Sequence, residues 1–478
     1  MKKIVNYTVL VLLVLFIGFP LLATGIDERL IPAFLSGTSS ATVNSKDEIA
    51  QNMQRLELLY RLVERDFLFD IDHKAVYESM AKGLFTGLDD EYSAYIISKE
   101  AADFSEDTTG VYGGIGAYIS KNYLEYRDFS NPSTYMVNIN SVFPNSPAEV
   151  AGLRSGDLIS HIDGEAVDDW QADEASKALK GPPDTPVVLT VIRGNSTFDL
   201  KVIRKIVSVP TVSVDWLPKD IFYLRITQFT TKTAEQVRTE LQKALSKEMK
   251  GLVLDLRENP GGIVEATLSI ADMLLDEKVV VHVKGKQKPN SHTYYSSLKT
   301  LVPLDIPIVL LVNKGSASSS EILAGALKDN GRATLIGSTT FGKGLIQIVS
   351  PFGDGYYTVT TSQYQTPNGS DIHKVGIPVD IEVHEPHIGE DEIDSYSEFI
   401  GSKKVESFVE EHPEFSDENV QLFLDTVVGE NPPLEADVYT LLLRREYLAN
   451  MSSDERPIAD YKYDKVLKRA LEFLDTGM

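Results

Sequence analysis

Ile308-Val309-Leu310-Leu311-Val312-Asn313-Lys314-Gly315-Ser316-Ala317-Ser318-Ser319-Ser320-Glu321-Ile322 changes character twice. Its apolar opening reads as a buried strand, the Gly315 stretch as a sharp turn, and the run from Glu321 to Leu327 as a helix. A strand that feeds a helix through a short turn is the unit of an α/β sheet. Ligands in such sheets sit outside the carboxyl ends of the strands, where this turn lies. A serine there also meets the free N–H groups and the positive dipole end of the helix, both suited to an oxyanion. Taken alone, Ser318-x-x-Glu321 needs no more than a capping box to explain it.

Outward from that turn the same alternation continues over residues 206–385. Phe222 to Ile226 and Leu252 to Leu256 read as strands, Ala234 to Ser246 and Ile263 to Leu275 as helices, and Thr334 to Ile336 as a further strand. That order predicts a parallel sheet with crossover helices. Two more turns carry candidate chemistry. Asp255-Leu256-Arg257-Glu258-Asn259-Pro260-Gly261-Gly262 follows a buried strand, and paired glycines let the backbone turn and aim its amides inward. Thr340-Phe341-Gly342-Lys343-Gly344-Leu345-Ile346-Gln347 puts a lysine between two glycines beside an aromatic ring, able to enter a tight apolar site. The preceding Gly337 to Lys343 imitates a phosphate loop, but Gly344 stands where that loop needs Ser or Thr for magnesium. A nucleotide hydrolase is therefore a poor reading.

Further out, residues 108–205 switch to short strands and glycine turns: Gly113-Gly114-Ile115-Gly116 runs into a strand, and Val137 to Val142 is another. Ser45-x-x-Glu48 opens a predicted helix, with Ile49, Met53, Leu56, Tyr60, Val63 and Phe67 at helical spacing, and a second helix is predicted over His73 to Leu84. This segment reads as a packing or dimerisation element without obvious chemistry. The tail beyond Ile388 is acidic and helical in texture, and ends in Tyr463 to Leu474. At the other end, Lys2 and Lys3 precede an apolar run from Val9 to Leu22 and then Ala23-Thr24-Gly25, the pattern of an export signal. Cleavage at Ala23-x-Gly25 and retention as an anchor are both open, since Tyr7 to Ala23 nearly spans a bilayer.

Composition narrows the class. The chain has 478 residues, enough for several domains, with 42% apolar and 24% charged residues. Its net charge of −24 argues against nucleic acid and against adhesion to anionic lipid. The absence of cysteine excludes disulfides, thiolate catalysis and Cys-ligated zinc. His384 and His387 form an H-x-x-H pair in a loop without a catalytic glutamate, so no metal site and no cofactor is expected.

Read together, the three turns resemble the C-terminal processing, or tail-specific, family of serine peptidases. The resemblance rests on Asp255-Leu256-Arg257-x-Asn259-x-Gly261-Gly262, Ser316-Ala317-Ser318-x-Ser320-Glu321-Ile322 and Phe341-Gly342-Lys343-Gly344-x-x-Gln347. Tyr364-x-Thr366-Pro367-x-Gly369-x-x-Ile372 and Gly376-Ile377-x-x-Asp380-Ile381 continue it. It implies a multidomain α+β protein, with a PDZ β-domain and a crotonase/ClpP-like α/β protease core between N- and C-terminal helical regions. The implied boundaries are 1–25 signal peptide or membrane anchor, 26–107 N-terminal helical region, 108–205 PDZ domain, 206–385 protease core and 386–478 C-terminal helical extension. It further implies Ser318 as nucleophile, Lys343 as general base and Gln347 as the residue that orients it. The backbone N–H of Ser319, with one from Gly261 or Gly262, would bind the oxyanion. Gly113, Gly114, Ile115 and Gly116 match the carboxylate-binding loop of a PDZ domain, and Ser146-Pro147-Ala148-x-x-Ala151-Gly152-Leu153-x-x-Gly156-Asp157-x-Ile159 its interior signature. Lys121 to Ser133 is a long insert that departs from that pattern.

The implied function is an exported serine endopeptidase, periplasmic or on the outer face of the cytoplasmic membrane, that cleaves unfolded or C-terminal protein segments chosen by the PDZ domain. The alternative is an exported PDZ scaffold that has lost catalysis. Protein or peptide substrates are the expected partners, with membrane contact only through the N-terminal segment and the acidic tail as a candidate surface for a homodimer or an adaptor protein. The chemistry makes one severe demand. A lysine must be neutral to accept the serine proton, yet its free pKa is ~10.4, so activity near pH 7 requires the ammonium to be disfavoured by roughly 5 kcal/mol.

Overall fold

The computed structural model describes residues 45–121, 128, 131–286, 291–297, 299–386, 388–429, 432–451 and 456–476, and the chain divides into two units, 1–76 and 77–478. The expected export segment lies outside the described residues, as do most of the 121–133 insert and His387. Among the described residues no helix is long and apolar enough to cross a membrane. The first unit holds α1 (Ser45–Asp66), on which Ile49, Met53, Leu56 and Val63 are exposed. The helix α2 (His73–Thr86) leads into β1 (Ala94–Ile96) and α3 (Ser98–Thr109).

The small β-domain that follows runs β2 (Val111–Gly114), β3 (Ala117–Ser120), β4 (Val137–Val142), α4 (Pro147–Ala151), β5 (Leu158–Ile162), β6 (Glu165–Ala166), α5 (Ala172–Leu179), β7 (Pro186–Arg193), β8 (Ser196–Ile203) and β9 (Lys205–Ser208). Five of its strands form one sheet in the order β3-β4-β5-β7-β8, with β6 on β5, while β2 pairs with β9. Val137, Ile139, Ile159, Val187, Leu189 and Val191 point inward from alternate strand positions and pack with Ala148 of α4 and Ala175 and Leu179 of α5. Ser146 caps α4 by accepting from Glu149 N, with Pro147 at the first helical position, so the motif Ser146-Pro147-Ala148 is the start of a helix.

The core runs β10 (Val212–Leu217), β11 (Ile221–Ile226), α6 (Thr233–Ser246), β12 (Gly251–Asp255), α7 (Val264–Leu274), β13 (Val279–Gly285), β14 (His292–Tyr295), β15 (Ile308–Val312), α8 (Ser319–Asp329), β16 (Thr334–Gly337), β17 (Leu345–Phe352), β18 (Gly355–Gln365) and β19 (Ile381–Glu382). Six strands form a sheet in the order β10-β11-β12-β15-β16-β19, parallel from β11 onward. Its central strands β12 and β15 are buried at every position because both faces are covered, and β15 is apolar throughout. Leu252, Leu254, Ile308, Leu310, Val312 and Leu335 face α6, α7 and α8. The alternate residues Val253, Val309, Leu311 and Ile336 face Val466, Leu467 and Ala470.

Those three last residues belong to the tail, which comprises α9 (Ile393–Gly401), α10 (Lys404–Glu411), α11 (Asp417–Phe423), α12 (Ala436–Asn450) and α13 (Lys465–Thr476). The tail is thus of two kinds. Phe408, Phe423, Val438, Tyr439 and Leu443 make a separate helical core, whereas α13 is built into the catalytic sheet. A second sheet joins β1, β18, β13 and β14 in that order, with β17 on β18. Residues 94–96, from the segment expected to be purely helical, therefore enter the core by pairing with Tyr356 to Thr358.

Candidate active site

Three turns at the carboxyl ends of β12, β15 and β16 converge. The turn after β15 places Ser318 at φ 54°, ψ −115°, a region that costs a non-glycine residue about 1–3 kcal/mol. Its neighbours hold that strain in place. Ser316 Oγ donates to Leu256 O (2.8 Å), Ser319 Oγ to Gly262 O (2.8 Å) and Ser320 Oγ to Asn259 O (2.9 Å), so three of the four serines are buried and lashed to the turn after β12. Ser318 is the partly exposed one.

The glutamate of the supposed capping box does more than cap. Glu321 is fully buried, and its two oxygens accept four hydrogen bonds: Oε2 from Ser318 N (2.9 Å) and Lys343 N (2.8 Å), Oε1 from Gly342 N (2.7 Å) and Thr340 Oγ1 (2.6 Å). One carboxylate therefore brings the backbones of Ser318 and Lys343 within about 6 Å of each other, since both lie in hydrogen-bond reach of a single oxygen. Tyr364, buried beneath, donates its hydroxyl to Lys343 O and lies against Ser318; burial and then Glu321 hold its phenol well above the usual range.

Lys343 is half-buried, and Gly342 before it adopts φ 98° with its backbone against Val375 and Gly376, where a side chain would collide. Burial lowers the pKa of the Lys343 amine, against a smaller opposing pull from Glu91 and Asp90. The amine lies over the ring of Tyr92, 4.2 Å from its centroid, and makes no hydrogen bond to Ser318 Oγ. Gln347, on β17, turns its amide nitrogen to Thr360 Oγ1 (3.2 Å) and does not meet Lys343 here.

The two glycines differ. The Gly261 N–H already donates to Asn259 Oδ1 (2.9 Å), and its Cα side abuts Ser318 Cβ and Ser319 N so closely that any side chain would clash. The adjoining bridge to Phe229 uses Phe229 N to Gly261 O and Ile263 N to Phe229 O, so the Gly262 N–H enters neither bond. Behind them, Arg257 forks onto buried Asp255 and onto Asp464, which also accepts from Leu467 N at the start of α13. Burial alone would raise Asp255; Arg257 outweighs it and keeps the carboxyl below the usual range.

In the β-domain, Gly113 lies against Gly181 O, Gly116 takes φ 78°, and Ile115 is buried in the domain core. The strand that follows, β3, ends the sheet, so among the described residues its outer edge carries no partner strand and lies along α5.

Sequence reasoning anticipated Ser318, Lys343 and the two glycines, which the fold gathers. It missed Glu321 as a shared anchor, and it missed Tyr92 and Tyr364. The only signal for Tyr364 was its place in the Tyr364-x-Thr366-Pro367 motif.

Comparison with known proteins gives a consistent picture. The model of peptidase family S41 matches residues 220–383, and that of the PDZ domain residues 139–193. The carboxy-terminal-processing protease of Bartonella bacilliformis is 33% identical over 354 residues, 73% of this chain and 78% of that protein. A probable CtpA-like serine protease of Staphylococcus aureus is 34% identical over 339 residues, 70% of this chain and 65% of that protein. Among solved structures, the photosystem II D1 C-terminal processing protease aligns at 29% identity with a TM-score of 0.40, over 68% of this chain and 86% of that one.

Proposed function

This chain belongs to peptidase family S41, and from that premise we propose that it is a Ser/Lys endopeptidase in which Ser318 attacks the scissile carbonyl and Lys343 takes the hydroxyl proton. The observation that carries the assignment is the Glu321 carboxylate, which binds the backbone N–H groups of both residues at once. Ser318 is chosen over its neighbours because Ser316, Ser319 and Ser320 spend their hydroxyls on the turn after β12.

The chemistry follows from the groups in place. A neutral Lys343 amine leaves Tyr92, a movement its flexible four-carbon stem allows, and accepts the Ser318 proton as Oγ bonds to the carbonyl carbon. Gln347, anchored through its nitrogen on Thr360, keeps its oxygen to receive the amine once it has left Tyr92, without adding a negative charge. The developing oxyanion is held by the N–H of Ser319, an unpaired first-turn donor of α8, and by that of Gly262 rather than of Gly261, whose proton is committed to Asn259. The lysine then passes its proton to the departing amine, and water repeats the cycle on the acyl-enzyme.

Substrate selection falls to the PDZ domain. An incoming C-terminal segment adds to the free edge of β3, with its carboxylate at the loop Gly113 to Gly116. The basic flank and apolar run at residues 2–22 support export and work outside the cytoplasm.

The direct test is cleavage of an unstructured protein by the purified chain and by Ser318→Ala and Lys343→Arg. Both variants should lose activity by at least about 10³-fold, because a guanidinium cannot supply a neutral base. Substantial turnover by either one would refute the dyad.

A further inference from the structure

The wall against which the Lys343 amine rests comes from neither matched region. Tyr92 lies in the turn between α2 and β1, in a segment whose sequence gave no hint of chemistry. The turn is held with care. Asp90 accepts from Tyr92 N (3.2 Å) and from Ser93 Oγ, and Ser93 Oγ in turn accepts from Thr360 N (3.0 Å). Thr358 Oγ1 donates to Tyr92 O (3.0 Å) and accepts from Ala94 N (3.1 Å). The turn that carries the ring is thereby clamped to β18, the strand that also supplies Tyr364 to Lys343 O and Thr360 to Gln347.

We propose that Tyr92 is a positioning residue for Lys343, its ring forming the wall that keeps water from the amine and the seat from which the side chain moves to Ser318. This deepens the dyad reading and rests on it.

Two effects of the ring oppose each other. Its face attracts an ammonium, which favours the charged, inactive form. Its bulk excludes water, which favours the neutral form, and desolvation leads the causes acting on this amine. The other groups around Lys343 are Glu91 and Asp90 on the same turn, Glu321 from α8, Tyr364 from β18, and His373 and Lys374 from the loop before β19. None of them is removed with the ring, but the Tyr92 hydroxyl bonds Glu91, a bond that Tyr92→Phe and Tyr92→Ala both lose, so the difference between those two variants reads the balance of shielding against attraction. Shielding prevails in our proposal.

The test is the pH profile of kcat/KM for the full chain with an unstructured protein as substrate. Tyr92→Phe should keep the wild-type profile. Tyr92→Ala should move the low-pH limb up by about one unit, a loss of about tenfold at pH 7, with the high-pH plateau within a few-fold of wild type. A limb that stays in place beneath a lowered plateau, or one that moves down, overturns the proposal. If Tyr92→Ala does not fold, Tyr92→Gln, which keeps bulk but brings a polar amide to the amine, is read by the same criteria. Titration of Lys343 followed by NMR of ¹³C-methylated lysines in Ser318→Ala, with and without the ring, separates the two ideas. An upward displacement on losing the ring supports the wall whatever base the reaction uses, and no displacement overturns it. An active Lys343→Arg would instead remove the dyad.

Discussion

Glu321 shows how much one side chain can carry when it is buried and fully bonded. Its four donors come from two segments, Ser318 on one side and Thr340, Gly342 and Lys343 on the other, so it fixes the distance between the backbones of the proposed nucleophile and base. Glu321→Gln turns one oxygen into a donor facing donors. At least one buried N–H then loses its partner, which costs about 1–3 kcal/mol. Urea denaturation should report that loss. If Ser318 and Lys343 react as proposed, kcat should fall by at least about tenfold while KM changes little. The serine and the lysine stood out in the sequence only because their turns, taken in series, resemble the motifs of a known peptidase family; each window alone reads as a helix cap or a surface lysine. The glutamate did not stand out, since three residues of helix suffice to explain a capping pair, and its remaining bonds depend on a loop some twenty positions away that only the fold brings near. Tyr92 was hidden for the same reason, separated in sequence from everything it serves.

At the scale of elements, what could be read was what is buried on both sides. Leu252 to Leu254 and Ile308 to Val312 are unbroken apolar runs because helices cover one face and α13 the other, and their helices follow within one or two residues of the expected limits. By contrast β17 and β18 are half-exposed, and the adjacent Tyr, Thr and Ser residues of β18 break any alternation, so neither gave a pattern strong enough to set a strand or its register. The tail read as an appendage, yet α13 is tied to the turn after β12 through Asp464 and Arg257. Asp464→Ala should cost about 2–3 kcal/mol, somewhat less than a fully buried pair because Asp464 is 23% exposed. It should also slow peptide cleavage, since Arg257 sits five residues before Gly262 on the same turn. Chemical denaturation and kinetics on the same preparation check both.

At the scale of the whole molecule, selection and cutting are separable in experiment. If the loop at Gly113 to Gly116 binds a terminal carboxylate, a substrate with an amidated C-terminus should show a KM raised by about tenfold, one lost charge-assisted contact, with kcat unchanged. Replacing residues 108–205 by a flexible linker should abolish that difference between free and amidated substrates, and steady-state kinetics on matched peptides would measure both effects.

The two-sided sheet also bears on how the protein is made. Strands β12, β15 and β16 leave the ribosome well before residues 465–476, so for much of translation one apolar face of the nascent sheet has no cover of its own. The Arg257 fork, too, has to wait for Asp464 to arrive. A newly emerging chain in this way cannot close that face of the sheet until residues 464–476 have been synthesised.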